Sequence, residues 1–239
     1  MAITRRGVRI AGRIMRLLLL ILILAVSGVL GWRVCYSEKY EITKGLTLNE
    51  PLIAAYAEHG EDLILRYQED RATITKAEKN YGYFSVIEYV FIPQANQLQV
   101  VVRYNNSTLK HLAEDYGLSE IPDRELDHYD VSVVLTIDLT PEDPSDNEDE
   151  SKLSRVRLHP TGDPIRESTA LYNYRRYTFD NVTLTEDTLG AFVDIYYNQD
   201  VNYEADAYGT LLIYDNESPW VDYKLSKDEL KRLNAAVGK

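Results

Sequence analysis

Hydrophobic and polar positions follow three rhythms along this chain. Residues 17–32 (LLLLILILAVSGVLGW) are uncharged throughout and lie between Arg16 and Arg33. A core of about 16 residues gives roughly 24 Å of helix, slightly short of a hydrocarbon layer of ~30 Å. Arg16 and Arg33 extend the span by snorkelling to the two interfaces, and Trp32 sits where a far-side aromatic anchor belongs. The pattern predicts a basic cytoplasmic segment over 1–16, a transmembrane helix over 17–34 and a neck over 35–48. Arg5, Arg6, Arg9, Arg13 and Arg16 precede the run and the first acid is Glu38. This asymmetry points to a single-pass signal-anchor in the cell membrane, N-terminus cytoplasmic and the remainder extracytoplasmic, with the lipid bilayer as the first partner. A cleaved secretory signal is the rival, with Leu17 to Leu24 as its apolar region and Ala25 and Ser27 at peptidase spacing; the product would be secreted. The apolar run continues through Val29, Leu30 and Trp32, which favours the uncleaved anchor.

The second rhythm is helical. Asn49 can cap, Pro51 suits a first turn, and Ile53, Tyr56, Gly60, Leu63, Ile64, Tyr67, Arg71 and Ile74 recur with a period near 3.5. An amphipathic helix over 49–79 is expected, ending near Asn80 and Gly82. Its stripe either packs on the domain's own sheet or dimerises the protein as a juxtamembrane coiled coil. Gly60 and the limited length favour the first.

From Tyr83 the period becomes two. Strands are predicted at 83–92, 98–104, 131–139, 153–158, 171–179, 192–197 and 210–214, with turn chemistry between them. A short helix capped by Ser107 interrupts them, and Ser226 opens a C-terminal helix over 227–236 whose Leu230 and Leu233 can dock. The fold class is mainly β with helices: a transmembrane helix, a juxtamembrane amphipathic helix, and one antiparallel β-sandwich-like domain of about seven strands over 49–239. The tract TPEDPSDNEDES over 140–151 has no apolar residue and reads as a surface loop.

Charge changes the picture of partners. The whole chain is formally −12, with 26 lysines and arginines against 38 acids; without the six arginines of the N-terminal segment the remainder is −18. So acidic a surface is not a nucleic-acid binder. The single cysteine, Cys35, excludes an internal disulfide.

Catalytic signatures are missing: there is no HExxH, CxxC, G-x-S-x-G, phosphate-binding glycine loop or dinucleotide fingerprint. Two patterns carry candidate chemistry. Asn198, Asp200, Asn202, Glu204 and Asp206 place side-chain oxygens at alternate positions, as Ca²⁺-holding loops do, but Tyr203 stands where the EF-hand needs glycine. The wet face of a strand–turn–strand unit is the favoured explanation of the alternation, and no other cofactor is expected. The chain also has 19 tyrosines. Tyr172, Tyr174, Tyr196, Tyr197, Tyr203 and Tyr208 are the candidate binding face, since a tyrosine row suits protein or carbohydrate contact. These features favour a non-catalytic binding domain or accessory subunit of an envelope complex, whose partner is a protein or a cell-wall polymer. The alternative is an envelope hydrolase drawing a carboxylate pair from Asp194, Asp200 and Glu204.

Overall fold

The computed structural model describes residues 5–37, 45–68, 84–139, 153–169, 172–205 and 207–238, so the tract at 140–151 lies outside the described residues. The chain divides into two units, Met1–Tyr40 and Glu41–Lys239. In the first, helix α1 (Arg5–Ser37) contains a stretch, Ile14–Trp32, of mean hydropathy 2.6 with none of its surface buried. Its length and composition are those of a membrane-spanning helix.

The second unit is mainly β. Among the described residues it has ten strands: β1 (Arg66–Tyr67), β2 (Phe84–Ile92), β3 (Gln97–Asn105), β4 (Tyr129–Asp138), β5 (Leu153–Leu158), β6 (Ile165–Ser168), β7 (Tyr172–Asp180), β8 (Thr188–Tyr197), β9 (Gly209–Asp215) and β10 (Val221–Asp222). They form two antiparallel sheets, ordered β10-β1-β2-β3-β7-β6 and β5-β4-β8-β9. Alternate residues of both sheets build one core: Leu98, Val100, Val102 and Tyr104 of β3 meet Val131, Val133 and Leu135 of β4 and Val193 and Ile195 of β8. This is the expected sandwich. The three strands beyond the predicted seven are β1, β6 and β10, each of two to four residues.

Among the described residues three α-helices accompany the sheets: α2 (Glu50–His59), α3 (Asn106–Asp115) and α4 (Lys227–Ala236). Helix α2 corrects the expected helix over 49–79. Asn49 caps it and proline occupies the first turn, but Gly60, at φ 58°, ends it after ten residues, and Arg66–Tyr67 is already strand. Residues 69–79 of that expectation lie outside the described residues. Leu52, Ala55 and Tyr56 of α2 join Leu233 of α4 against Val90 and Ile92, so the stripe packs on the outer face of the larger sheet. The end of the expected neck, Leu46, is 1% exposed and belongs to the same cluster. Helix α3 is capped by Asn105, which accepts from Thr108 N at 3.0 Å, not by Ser107. Helix α4 begins with the predicted Ser226, completed into a reciprocal capping box by Glu229.

Several polar side chains under the helices are buried and hydrogen-bonded. Gln99 accepts from Thr47 N at 2.7 Å and donates to Thr47 O at 2.8 Å, substituting for a strand ladder. Consecutive arginines of β7 are both buried and point to opposite faces: Arg175 pairs with Asp127 and Arg176 with Glu88, each at 2.8 Å. Arg175 also donates to the carbonyls of Arg124 and Leu126, which fixes the irregular stretch before β4.

Tyrosines inside the sandwich give the domain an alkaline limit. Burial, foremost, pushes the Tyr104 hydroxyl up to about 12 and the Tyr129 and Tyr177 hydroxyls higher still. Unfolded tyrosines release their protons near pH 10, whereas the folded ones hold them, so the native state binds more protons above that pH. The stabilisation is complete below pH 10 and is lost as pH rises toward 12. In an alkaline titration, tyrosinate absorbance from these residues should appear together with loss of the circular dichroism signal, as one transition.

Candidate functional site

Alternation along β4, β5 and β8 puts Ser132, Val134 and Thr136, Arg155 and Arg157, and Phe192, Asp194 and Tyr196 on the outer face of the four-stranded sheet. Strand β8 ends at Tyr197, and the segment from Asn198 to Ala205 turns back over this face. There Tyr203 and Tyr196 flank one guanidinium: the Arg157 Cζ is 4.7 Å from the Tyr203 ring centre and 5.3 Å from that of Tyr196. The two rings meet edge to face at 5.2 Å. Arg157 donates to Ser132 Oγ at 2.5 Å, Asp194 Oδ2 at 3.1 Å and the Tyr196 hydroxyl at 3.3 Å. Thr210 Oγ1 donates to Asp194 Oδ1 at 2.8 Å, and the Tyr203 hydroxyl donates to Asp130 at 2.8 Å. Partial burial and that bond to Asp130 push the Tyr203 hydroxyl up to about 12.

Two cavities flank the returning segment and share Tyr196, Ala205 and Ala207. One, of about 280 Å³, is lined by Thr136, Arg155, Arg157, Asp194, Tyr203 and Glu204. The other, of about 440 Å³, is lined by Tyr116, Tyr197, Asp200, Asn202 and Tyr208. Arg155 lies exposed at the rim and has no hydrogen bond or ion pair among the described residues.

The candidate tyrosines therefore divide. Tyr196, Tyr197, Tyr203 and Tyr208 come together around the returning segment. Tyr172 and Tyr174 lie on β7 in the other sheet, where Tyr174 is 1% exposed and Tyr172 carries Arg103 over its ring at 4.6 Å. The oxygen-bearing residues are engaged locally: Asn198 donates to Asp127 O at 2.7 Å and Asn202 accepts from Glu204 N at 3.1 Å. Asp200 and Glu204 line different cavities, and Asp206 lies outside the described residues. Among the described residues no three His, Cys, Asp or Glu side chains converge as a metal shell. Of the three acids of the hydrolase alternative, Asp194 has both oxygens engaged, by Arg157 and Thr210.

Sequence reasoning missed Arg157, the centre of the site. Nothing distinguishes it within LSRVRL, and only strand pairing sets it beside the tyrosines of β8. Chemically the arrangement offers ring faces, a free guanidinium in Arg155 and hydroxyl and carboxylate acceptors, a set suited to stacking and hydrogen bonding with a partner. The chain matches no family model, no curated protein and no solved structure.

Proposed function

We propose that this protein is a single-pass membrane-anchored binding module: α1 holds it in the cell membrane with the N-terminus cytoplasmic, and the acidic sandwich outside binds a protein or wall-polymer partner without catalysing its conversion. The observation that carries the binding reading is the Tyr196–Arg157–Tyr203 stack beside two open cavities. It builds a rigid aromatic and cationic surface on a strand framework, the residue types that dominate recognition interfaces. Support for anchoring comes from Ile14–Trp32, which is apolar and exposed throughout, and from the arginines ahead of it. The role of Asp194 in holding Arg157 and Thr210 favours positioning over acid–base work.

A photo-crosslinking residue at Tyr203 of the full-length chain, illuminated in its native membrane, tests this. The expected result is one discrete adduct that is lost in Arg157→Ala, which removes the guanidinium against which the ring at position 203 stacks, and retained when the crosslinker stands at exposed Arg155 instead. Absence of an adduct from both positions would refute the groove as the binding surface.

A further inference from the structure

Strand β2 carries a cavity that the groove does not use. Its pairing with β3 shifts register between Val86 and Glu88, so an extra residue enters the strand there. Phe84, Val86, Tyr89 and Phe91 all reach the sandwich core, which leaves Ile87 and Glu88 together on the opposite side. Glu88 keeps 19% of its side chain exposed, and its Oε1 accepts from Arg176 Nη2 at 2.8 Å. Among the described residues its second oxygen, Oε2, has no hydrogen-bond partner. Glu88 lines a cavity of about 550 Å³ with Ile87, Tyr67, Tyr89, Val221, Asp222, Tyr223 and Lys224.

The lining defines the ligand. The Tyr89 hydroxyl donates to Gln68 O and accepts from Gln68 N, and the Tyr223 hydroxyl donates to Glu229 at 2.9 Å. Those two tyrosines therefore offer ring surface, and Ile87 and Val221 offer apolar surface. The unmet polar atom is an acceptor, the Glu88 oxygen; Arg176 pairs with the other Glu88 oxygen, and exposed Asp222 and Lys224 add one charge of each sign to the lining. A volume of this size suits a small molecule, and ring faces with a carboxylate suit a cation.

We propose that this cavity binds a small organic cation, an ammonium on a flat apolar body, with the ammonium donating to Glu88 Oε2 and the body against Tyr67, Tyr223, Ile87 and Val221. The formal charge of −18 on the extracytoplasmic part raises the local concentration of such cations. Burial holds the Glu88 carboxyl above the usual carboxylate range despite Arg176, so an added donor meets an under-solvated group.

The test uses the full-length chain in zwitterionic nanodiscs, titrated with three probes of one shape: 2-phenylethylammonium, 2-phenylethanol and 3-phenylpropionate. The ammonium should bind saturably, one per chain, at least about tenfold more tightly than the alcohol, and the carboxylate should not bind. Val221→Trp, which fills the cavity, should abolish binding in the same nanodiscs. Glu88→Gln combined with Arg176→Met removes the carboxylate without stranding a buried guanidinium, and should reduce the ammonium to the affinity of the alcohol. Arg157→Ala, in the groove, should leave the titration unchanged. Equal affinity for the three probes, no saturable binding of the ammonium, or binding indifferent to both cavity variants would overturn the proposal.

Discussion

Glu229→Ala is expected to destabilise the β-rich domain by about 3–5 kcal/mol, read as a lowered denaturant midpoint of the full-length chain in micelles. Glu229 is 1% exposed yet is the acceptor for three donors from two segments. Its Oε1 accepts from Leu46 N and from the Tyr223 hydroxyl, both at 2.9 Å, and its Oε2 from Ser226 N at 2.7 Å. Truncation removes the capping box, worth ~1 kcal/mol, and leaves the other donors buried without partners, at about 1–3 kcal/mol each with partial relaxation. Glu229→Gln should cost roughly half as much. Its amide oxygen can still accept from Leu46 and Tyr223, but its NH₂ cannot accept from Ser226. Gly45 is part of the same joint: at φ 150°, a Cβ there would stand 2.8 Å from Glu229 Cγ. A Gln variant as damaging as Ala would place the whole effect in the carboxylate's bond to Ser226, and a harmless Gln variant would mean that packing against Gly45, not hydrogen bonding, is what Glu229 supplies.

That joint shows where a linear reading stops. The Ser226 cap is visible as local chemistry, but the bond from Glu229 to Leu46 spans 183 residues and leaves no periodic trace. The long strands were legible because inward positions alternate over six to ten residues, as along β3 and β4. Strands β1 and β10, of two residues each, hold too few positions to alternate. In β2 the extra residue near Ile87 switches parity: unbroken alternation would put Glu88 on the core side with Phe84 and Val86, so the cavity could not be foreseen. Helix α2 was read too long because residues 63–67 continue a helical stripe by coincidence, while the conformation of Gly60 has already turned the chain. The tyrosine cluster was half legible for a related reason. Sequence proximity grouped Tyr172 and Tyr174 with the others, but sheet topology puts β7 beside β3 and β8 beside β4.

Replacing both Arg16 and Arg33 by Asp is expected to release the protein from the membrane without inverting it. The apolar window Ile14–Trp32 is 19 residues, about 28 Å of helix, so it only just spans ~30 Å of hydrocarbon. Long guanidinium stems let the flanking positions lie inside the apolar layer while the charges reach the interface. Aspartate is too short to do so, and an acid held within the layer costs up to about 3 kcal/mol at mid-depth and less near the ends. Two such acids remove a few kcal/mol from a helix whose margin is already small. Orientation rests on different residues: Arg5, Arg6, Arg9 and Arg13 remain ahead of the span, and acids weigh little in the positive-inside bias. Carbonate extraction should therefore move the double variant into the soluble fraction, and protease treatment of any membrane-retained chain should still cleave the sandwich only from the outer side. Undiminished retention of the double variant would refute snorkelling as what completes the span, and a soluble native protein lacking residues 1–27 would show the segment to be a cleaved signal.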